Sequence, residues 1–214
     1  MPRMVKTKYA FIFLIVNVLA YFSIQAFVSN KYSFLIPLDE KIPFVPEFIW
    51  VYHTLMPVIM LTLIFQVKSK SNFYFTIWAL FVATGVLCLF YIIFPSYYPR
   101  PDYTFTTFTE KFVELTYDLD KSCNTFPSGH VTFSWIAFLS ALKTPAYRNR
   151  LPVRIFYLTW ISTITLSTLT LKQHYIFDVI SGIFLALICY KFASLVIKAK
   201  FPGLIQVTMP SHPA

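Results

Sequence analysis

The sequence has few charged residues for its length. Lys, Arg, Asp and Glu make up 13% of the 214 residues, about half the share that a soluble domain carries. Cysteine is scarce too, and its three residues match no metal-binding spacing. An internal repeat, a low-complexity tract, an interdomain linker and a nucleotide or flavin motif are all missing. We therefore expect one non-soluble domain, residues 1–214, with no cofactor or metal.

Apolar residues take the place of the missing charge, at 57% of the chain. Runs of about 20 apolar residues are typical of helices that cross a bilayer. We predict six such helices, at about 10–28, 48–66, 73–94, 129–146, 152–171 and 175–197. The predicted fold class is all-α, an integral membrane bundle of six transmembrane helices.

The first of these segments has an alternative interpretation as a cleaved signal peptide. Its apolar run is longer than the 7–15 residues of a signal-peptide core, and the stretch IQAFVSN offers no small-x-small cleavage site. We therefore interpret this segment as a membrane helix.

The distribution of charge predicts the orientation. With a cytoplasmic N-terminus, twelve of the 18 cationic residues fall inside, as the positive-inside rule requires. The remaining six are Lys31, Lys41, Arg100, Lys111, Lys121 and Lys172. All nine acidic residues, from Asp39 to Asp178, fall outside or at the outer edge. We expect a multi-pass membrane protein with both termini in the cytoplasm.

The net charge of +9 could indicate nucleic-acid binding. The cations, however, are dispersed over short loops beside membrane helices, where attraction to anionic lipids explains them better. We expect no nucleic-acid partner.

A polar cluster, CNTFPSGH at 123–130, precedes the fourth apolar run. Pro127 favours a turn, Ser128 is a natural N-cap, and Gly129 allows backbone amides to approach a ligand closely. A helix N-terminus binds anions readily, and His130 in the first turn could give a proton to a leaving oxygen. Turns before helices often have this composition, so the cluster alone is weak support for a phosphate site.

A second cluster, LKQHYIFDV at 171–179, precedes the sixth apolar run. His174 and Asp178 are four residues apart, which predicts one helical face. A carboxylate beside one ring nitrogen fixes the imidazole tautomer and raises the basicity of the other nitrogen. A polar pair closing a helix terminus is the alternative, but ionisable groups near the hydrocarbon are costly and usually functional.

The remaining histidines have simpler interpretations. We expect His53, near the outer end of the second apolar run, to make a structural hydrogen bond, and His212 to lie in a polar tail. The loop at 95–128 is the longest connection, and apolar residues at helical spacing predict a short surface helix within it: Phe108, Phe112, Val113 and Leu115. Both polar clusters and this loop fall on the non-cytoplasmic face.

Three motifs, RP at 100–101, PSGH at 127–130 and HYIFD at 174–178, together resemble the signatures of the type 2 phosphatidic acid phosphatase superfamily. The six-helix layout extends the resemblance over nearly the whole chain. The resemblance implies that His174 is a nucleophile that forms a phosphohistidine, that Asp178 orients it and that His130 is the general acid. It also implies that Arg100 holds phosphate oxygens, with Ser128 and Gly129 in the phosphate cradle.

The sequence also departs from that pattern. Ile93 stands where the phosphatases carry a Lys, and Thr168 where they carry an Arg. The stretches FPSYYPRP and DKSCNTFPSGHV are more similar to the branch of inositol phosphorylceramide synthase-type phosphotransferases. Lys172, two residues before His174, could supply some of the lost charge.

The sequence therefore predicts an enzyme that cleaves a phosphate ester of a membrane lipid. Its expected partners are a phospholipid or other lipid phosphate substrate, the membrane and, for group transfer, a lipid alcohol acceptor. A non-catalytic membrane carrier or scaffold on a degenerate family fold is the alternative.

Overall fold

Helices make up most of the protein. The computed structural model describes residues 3–29, 31–66, 69–144, 147 and 149–200, and His212 lies outside them. The helices within these ranges are α1 (Arg3–Phe27), α2 (Pro37–Glu40), α3 (Ile49–Tyr52), α4 (Leu55–Gln66), α5 (Lys70–Ile93), α6 (Phe108–Leu119), α7 (Gly129–Lys143), α8 (Leu151–Thr170) and α9 (Ile176–Lys200), with a 3-10 turn at Pro46–Phe48. The described residues contain no β-strand, only an isolated bridge between Tyr32 and Ser96.

The predicted all-α class and the predicted surface helix are both confirmed. Each of the six apolar segments contains a long helix, and the second is divided into α3 and α4 by a turn at His53 and Thr54. The surface helix is α6, which begins at the capping residue Thr107. Glu110 accepts hydrogen bonds from the Thr107 amide and the Tyr103 hydroxyl, and these lower its pKa to about 2.

Membrane crossing is supported for part of the bundle. Among the described residues, four helical segments are long and apolar enough to span a bilayer: Thr7–Phe27, Pro46–Gln66, Ser71–Ile93 and Ile176–Lys200. Helix α7 has 15 residues, fewer than a span usually needs, and α8 carries many Ser and Thr residues. The chain is thus a membrane protein, while six spans and cytoplasmic termini stay predictions.

The centre of the bundle is formed where α5, α7 and α9 pack on one another. Small side chains, among them Ala83, Ala137 and Ala186, are buried there and allow close helix approach. Large apolar residues such as Leu19, Phe184 and Ile188 are exposed on the outside. In a membrane helix this surface faces lipid, so its exposure is expected.

The segment at 31–48 is attached to the loop that precedes α9. The Lys172 ammonium donates to the main-chain oxygens of Asp39 and Ile42, at 3.1 and 2.5 Å. In return, the Asp39 carboxylate accepts a hydrogen bond from the Ile176 amide at 2.8 Å. These contacts fix the position of the loop that carries His174.

Gly182 provides the closest approach of α9 to α7. A Cβ atom at this position would lie 2.8 Å from the Ser128 carbonyl oxygen and 3.2 Å from the Val131 Cβ. We expect Gly182→Ala to lower the free energy of unfolding by about 1–3 kcal/mol because the helices must separate. Gly85→Ala is the matched control: its Cβ would meet open space, so the change should be neutral or slightly stabilising. Denaturation in detergent micelles measures both, and equal losses would contradict this account.

The orientation prediction can be tested with single cysteines. In a variant without the three native cysteines, Lys111→Cys on α6 and Asn149→Cys between α7 and α8 both place a thiol at an exposed position. An impermeant maleimide should label Lys111→Cys on intact cells and Asn149→Cys only after permeabilisation. The reverse pattern would refute the predicted orientation.

Candidate active site

The two polar clusters meet where α7 and α9 begin. Ser128 caps α7, as predicted, because its hydroxyl accepts a hydrogen bond from the Val131 amide. The Ser128 amide itself donates to the Asp178 carbonyl oxygen at 3.0 Å. Thr132 adds a hydroxyl that bonds to the main-chain oxygens of Ser128 and Gly182. The Gly129 amide bonds to the Tyr91 hydroxyl, and the first-turn amide of His130 is a donor that could serve a phosphate.

His174 lies in the loop before α9, so the prediction that it shares a helical face with Asp178 is wrong. The amides of Gln173 and His174 both donate to the Thr168 carbonyl oxygen. The His174 Nδ1 atom is 2.8 Å from the carbonyl oxygen of Thr125. A carbonyl can only accept, so Nδ1 carries a proton, and in the neutral imidazole Nε2 then keeps the lone pair. The main chain thus fixes the position and the tautomer of the His174 ring.

Asp178 reaches back over the start of α9. One oxygen, Oδ2, accepts a hydrogen bond from the Tyr175 amide at 2.9 Å and lies 3.5 Å from His174 Nδ1. The carboxylate therefore caps α9 and also contributes negative charge beside the imidazole. Its Oδ1 atom is buried without a hydrogen-bond partner among the described residues.

His130 is the second residue of α7, and its ring centroid lies 6.1 Å from that of His174. The ring stacks on Tyr52, with centroids 4.0 Å apart and an angle of 23° between the planes. The stacking restricts the imidazole without using its nitrogens. The two histidines face a common space in which a phosphate could lie between them.

The predicted cationic residues lie near this space but not on its wall. The Arg100 guanidinium donates to Gln173 Oε1 at 2.7 Å and to the main-chain oxygens of Lys172 and Asp120, and it packs over the Tyr117 ring. The Lys172 ammonium is held by Asp39 and Ile42. A phosphate could reach Arg100 through its unpaired Nε atom or by replacing Gln173, whereas Lys172 would have to give up both bonds.

A cavity of about 400 Å³ extends from the histidines between α1, α4, α5, α6 and α7. Most of its lining is apolar, and its polar residues include Asp120, Asn124, Gln173, His130 and His174. Both side-chain polar atoms of Asn124 and the Gln173 Nε2 atom are buried there without partners in the described chain. Buried polar groups are rarely left unpaired, so these atoms indicate the position of a polar ligand group.

Several residues of the site were not predicted from the sequence. Thr125, Tyr52 and Asp120 act through contacts with distant parts of the chain, and no local pattern marks them. Asn124 carries a weak signal, because its φ of 56° lies in the left-handed region that Asn tolerates. His53 bonds to the Thr116 hydroxyl at 2.9 Å, the structural role expected for it.

The family model described as the PAP2 superfamily matches residues 39–192. The chain belongs to the PAP2 superfamily. No curated protein and no solved structure matched the chain in the searches made. The matched range contains every PAP2 motif discussed above and begins after α1, although α1 also lines the cavity.

Within the described ranges, no group of three or more His, Cys, Asp or Glu side chains is arranged to hold an ion. The donors near the histidines are amides, a guanidinium and main-chain groups, which suit an anion.

Two substitutions of Asp178 separate the effect of its negative charge from the effect of its hydrogen bonds. Asp178→Asn can keep an oxygen at the position that contacts Tyr175 and His174, so we expect a folded protein with kcat reduced by roughly 10²–10⁴-fold. Asp178→Ala removes that oxygen and should also lower the free energy of unfolding by about 1–3 kcal/mol. Turnover and denaturation of both variants separate the two effects. Wild-type kcat in Asp178→Asn would show that the charge is unnecessary.

Proposed function

We propose that this protein is a membrane enzyme that cleaves a lipid phosphate ester through a phosphohistidine at His174. The observation that carries the proposal is the bond from His174 Nδ1 to the Thr125 carbonyl, which places the lone pair of the neutral imidazole on Nε2. The His130 ring across the cavity and the membership of the PAP2 superfamily also support it. The apolar cavity between membrane helices suits a lipid substrate.

In the first step, the Nε2 lone pair of His174 attacks phosphorus. A P–N bond forms, and the P–O bond to the leaving alcohol breaks with its electron pair. Protonated His130 gives its proton to that oxygen. Developing charge on the phosphoryl oxygens is met by the α7 N-terminus and, on closer approach, by Arg100.

In the second step, water or a lipid alcohol attacks the phosphohistidine. His130, now neutral, takes the proton of the attacking hydroxyl as the P–N bond breaks and its electron pair returns to Nε2 of His174. Water gives hydrolysis and an alcohol gives transfer, so both outcomes use the same residues. The site would lie on the non-cytoplasmic face, as the charge distribution predicts.

A phosphodiester suits this site better than a phosphomonoester. A monoester carries close to two negative charges at neutral pH, and each charge-assisted contact is worth roughly 1.5–3 kcal/mol. Ile93 and Thr168 cannot supply such contacts, and Thr168 is fully buried with its hydroxyl bonded to Thr165. The weak cation set favours the monoanionic diester, as expected for a relative of the phosphotransferase branch.

A non-catalytic carrier or scaffold is the other candidate function. A scaffold gains nothing from a histidine with a fixed tautomer, from a second imidazole 6.1 Å away or from unpaired polar atoms at the cavity end. These features favour the enzyme.

Trapping of the intermediate tests the proposal. Rapid acid-free quenching with a ³²P-labelled phosphodiester lipid should give an alkali-stable, acid-labile label on His174. His174→Ala should abolish the label and lower turnover to background, a loss of at least roughly 10⁴-fold, with an unchanged unfolding midpoint as its folding control. Retained activity in His174→Ala would refute the proposal.

The proposed role of His130 as general acid can be tested by changing the leaving group of the substrate. His130→Gln should slow cleavage of an alkyl ester by roughly 10²–10⁴-fold and that of a nitrophenyl ester much less, because nitrophenolate leaves without a proton. The ratio of the two rates in wild type and variant is the measurement. An equal decrease in the cleavage rates of both esters would show that His130 is not the general acid.

A further inference from the structure

Asp120 is an ionisable residue on the cavity wall that the proposed mechanism does not use. It follows α6 directly and lines the cavity together with His130 and His174. The described lining residues include no Lys, Arg or Glu. Apart from the histidines, Asp120 is thus the one lining side chain among them that can carry a charge at neutral pH. The fixed charge on this wall is therefore negative, in a site that must bind a phosphate.

The Asp120 carboxylate is held by two tyrosines and by no cation. Tyr21 of α1 donates to Oδ1 at 2.5 Å, and Tyr52 of α3 donates to Oδ2 at 3.3 Å. Arg100 binds the main-chain oxygen of Asp120, not its carboxylate. Each carboxylate oxygen can accept a second hydrogen bond, so one acceptor position per oxygen is left.

No cationic side chain of the described residues contacts this carboxylate directly. Burial raises the pKa of Asp120, although the Tyr21 hydrogen bond and the Arg100 charge act in the opposite direction. A carboxylate in such surroundings is costly unless a cation joins it. Within the described chain no Lys, Arg or His nitrogen forms an ion pair with it, so the direct contact is open to a cationic group of a ligand.

The surroundings of Asp120 also suit an organic cation. Aromatic side chains line the same cavity: Tyr21, Phe22, Tyr52, Tyr91 and Phe112. Ammonium and quaternary ammonium groups bind to aromatic faces, more strongly where water is excluded. Tyr52 bonds to Asp120 while its ring stacks on His130, so a single side chain spans the distance from the carboxylate to the general acid.

We propose that Asp120 binds the ammonium group of a zwitterionic phosphodiester lipid, with an ethanolamine or choline head group, whose phosphate lies between His130 and His174. The inference rests on the proposed function and names its substrate class. The head group stays on phosphorus when His174 attacks, the diacylglycerol oxygen leaves with the His130 proton, and water or an alcohol then takes the phosphoryl head group. A neutral polyol head group would leave the Asp120 charge uncompensated.

Turnover by the purified full-length protein in mixed micelles tests the inference. Phosphatidylethanolamine, phosphatidylcholine, phosphatidylglycerol and phosphatidic acid with identical acyl chains are compared by kcat/KM. We expect one of the two zwitterionic lipids to exceed phosphatidylglycerol by roughly 10- to 100-fold, as a charge-assisted contact provides. Asp120→Asn should lower the ratio of the zwitterionic value to the phosphatidylglycerol value by the same factor.

Asp118→Asn is the matched control, because it makes the same change two residues away at an exposed position of α6; it should leave all four values unchanged. An equal loss on every lipid in Asp120→Asn would mean that Asp120 only holds Tyr21 and Tyr52, and would overturn the inference. Wild-type preference for phosphatidylglycerol would overturn it as well.

Binding without turnover separates this inference from the proposed function. In a His174→Ala background, calorimetric titration with short-chain phosphatidylcholine, phosphatidylethanolamine and phosphatidylglycerol should show the same roughly 10-fold or greater preference, lost on adding Asp120→Asn. A phosphohistidine that forms without any such preference keeps the proposed function and refutes the role of Asp120. An Asp120-dependent preference without a phosphohistidine supports the binding site and refutes the chemistry.

Discussion

The hydrogen bond from the Ser128 amide to the Asp178 carbonyl, 3.0 Å long, joins the starts of α7 and α9, and the site is arranged around it. His130 follows Ser128 by two residues, and His174 precedes Asp178 by four. Once the two helix starts are joined, both imidazoles are brought to the same space. Gly182 makes the bond possible, because a side chain there would meet the Ser128 carbonyl.

Main-chain groups, which the sequence motifs do not reveal, hold the His174 side chain in place. The carbonyl of Thr125 sets the tautomer of His174, and that of Thr168 holds its loop. Because a carbonyl can only accept, the neutral imidazole keeps its free lone pair on Nε2 while this bond is in place. Asp178 then contributes charge to an imidazole whose orientation is already determined.

The sequence predicted what depends on neighbouring residues. The helix start at Ser128, the surface helix α6 and the proximity of His174 to Asp178 follow from local patterns. Thr125, Tyr52 and Asp120 could not be predicted, because their contacts join residues 49 to 99 positions apart or rings from separate helices. The prediction that His174 lies on a helical face was wrong. Asp178 caps α9 by accepting a hydrogen bond from the Tyr175 amide, and the helix therefore begins at Ile176, two residues after His174.

The attachment of Lys172 to the segment at 31–48 has a consequence for biosynthesis. Asp39 and Ile42, which accept the hydrogen bonds of the Lys172 ammonium, are synthesised 133 and 130 residues before it. The loop that carries His174 can therefore take its final position only after both segments have been placed on the same side of the bilayer. A chain truncated before Lys172, or inserted with the two segments on opposite sides, would lack these contacts, so the loop is ordered only when helix insertion has succeeded.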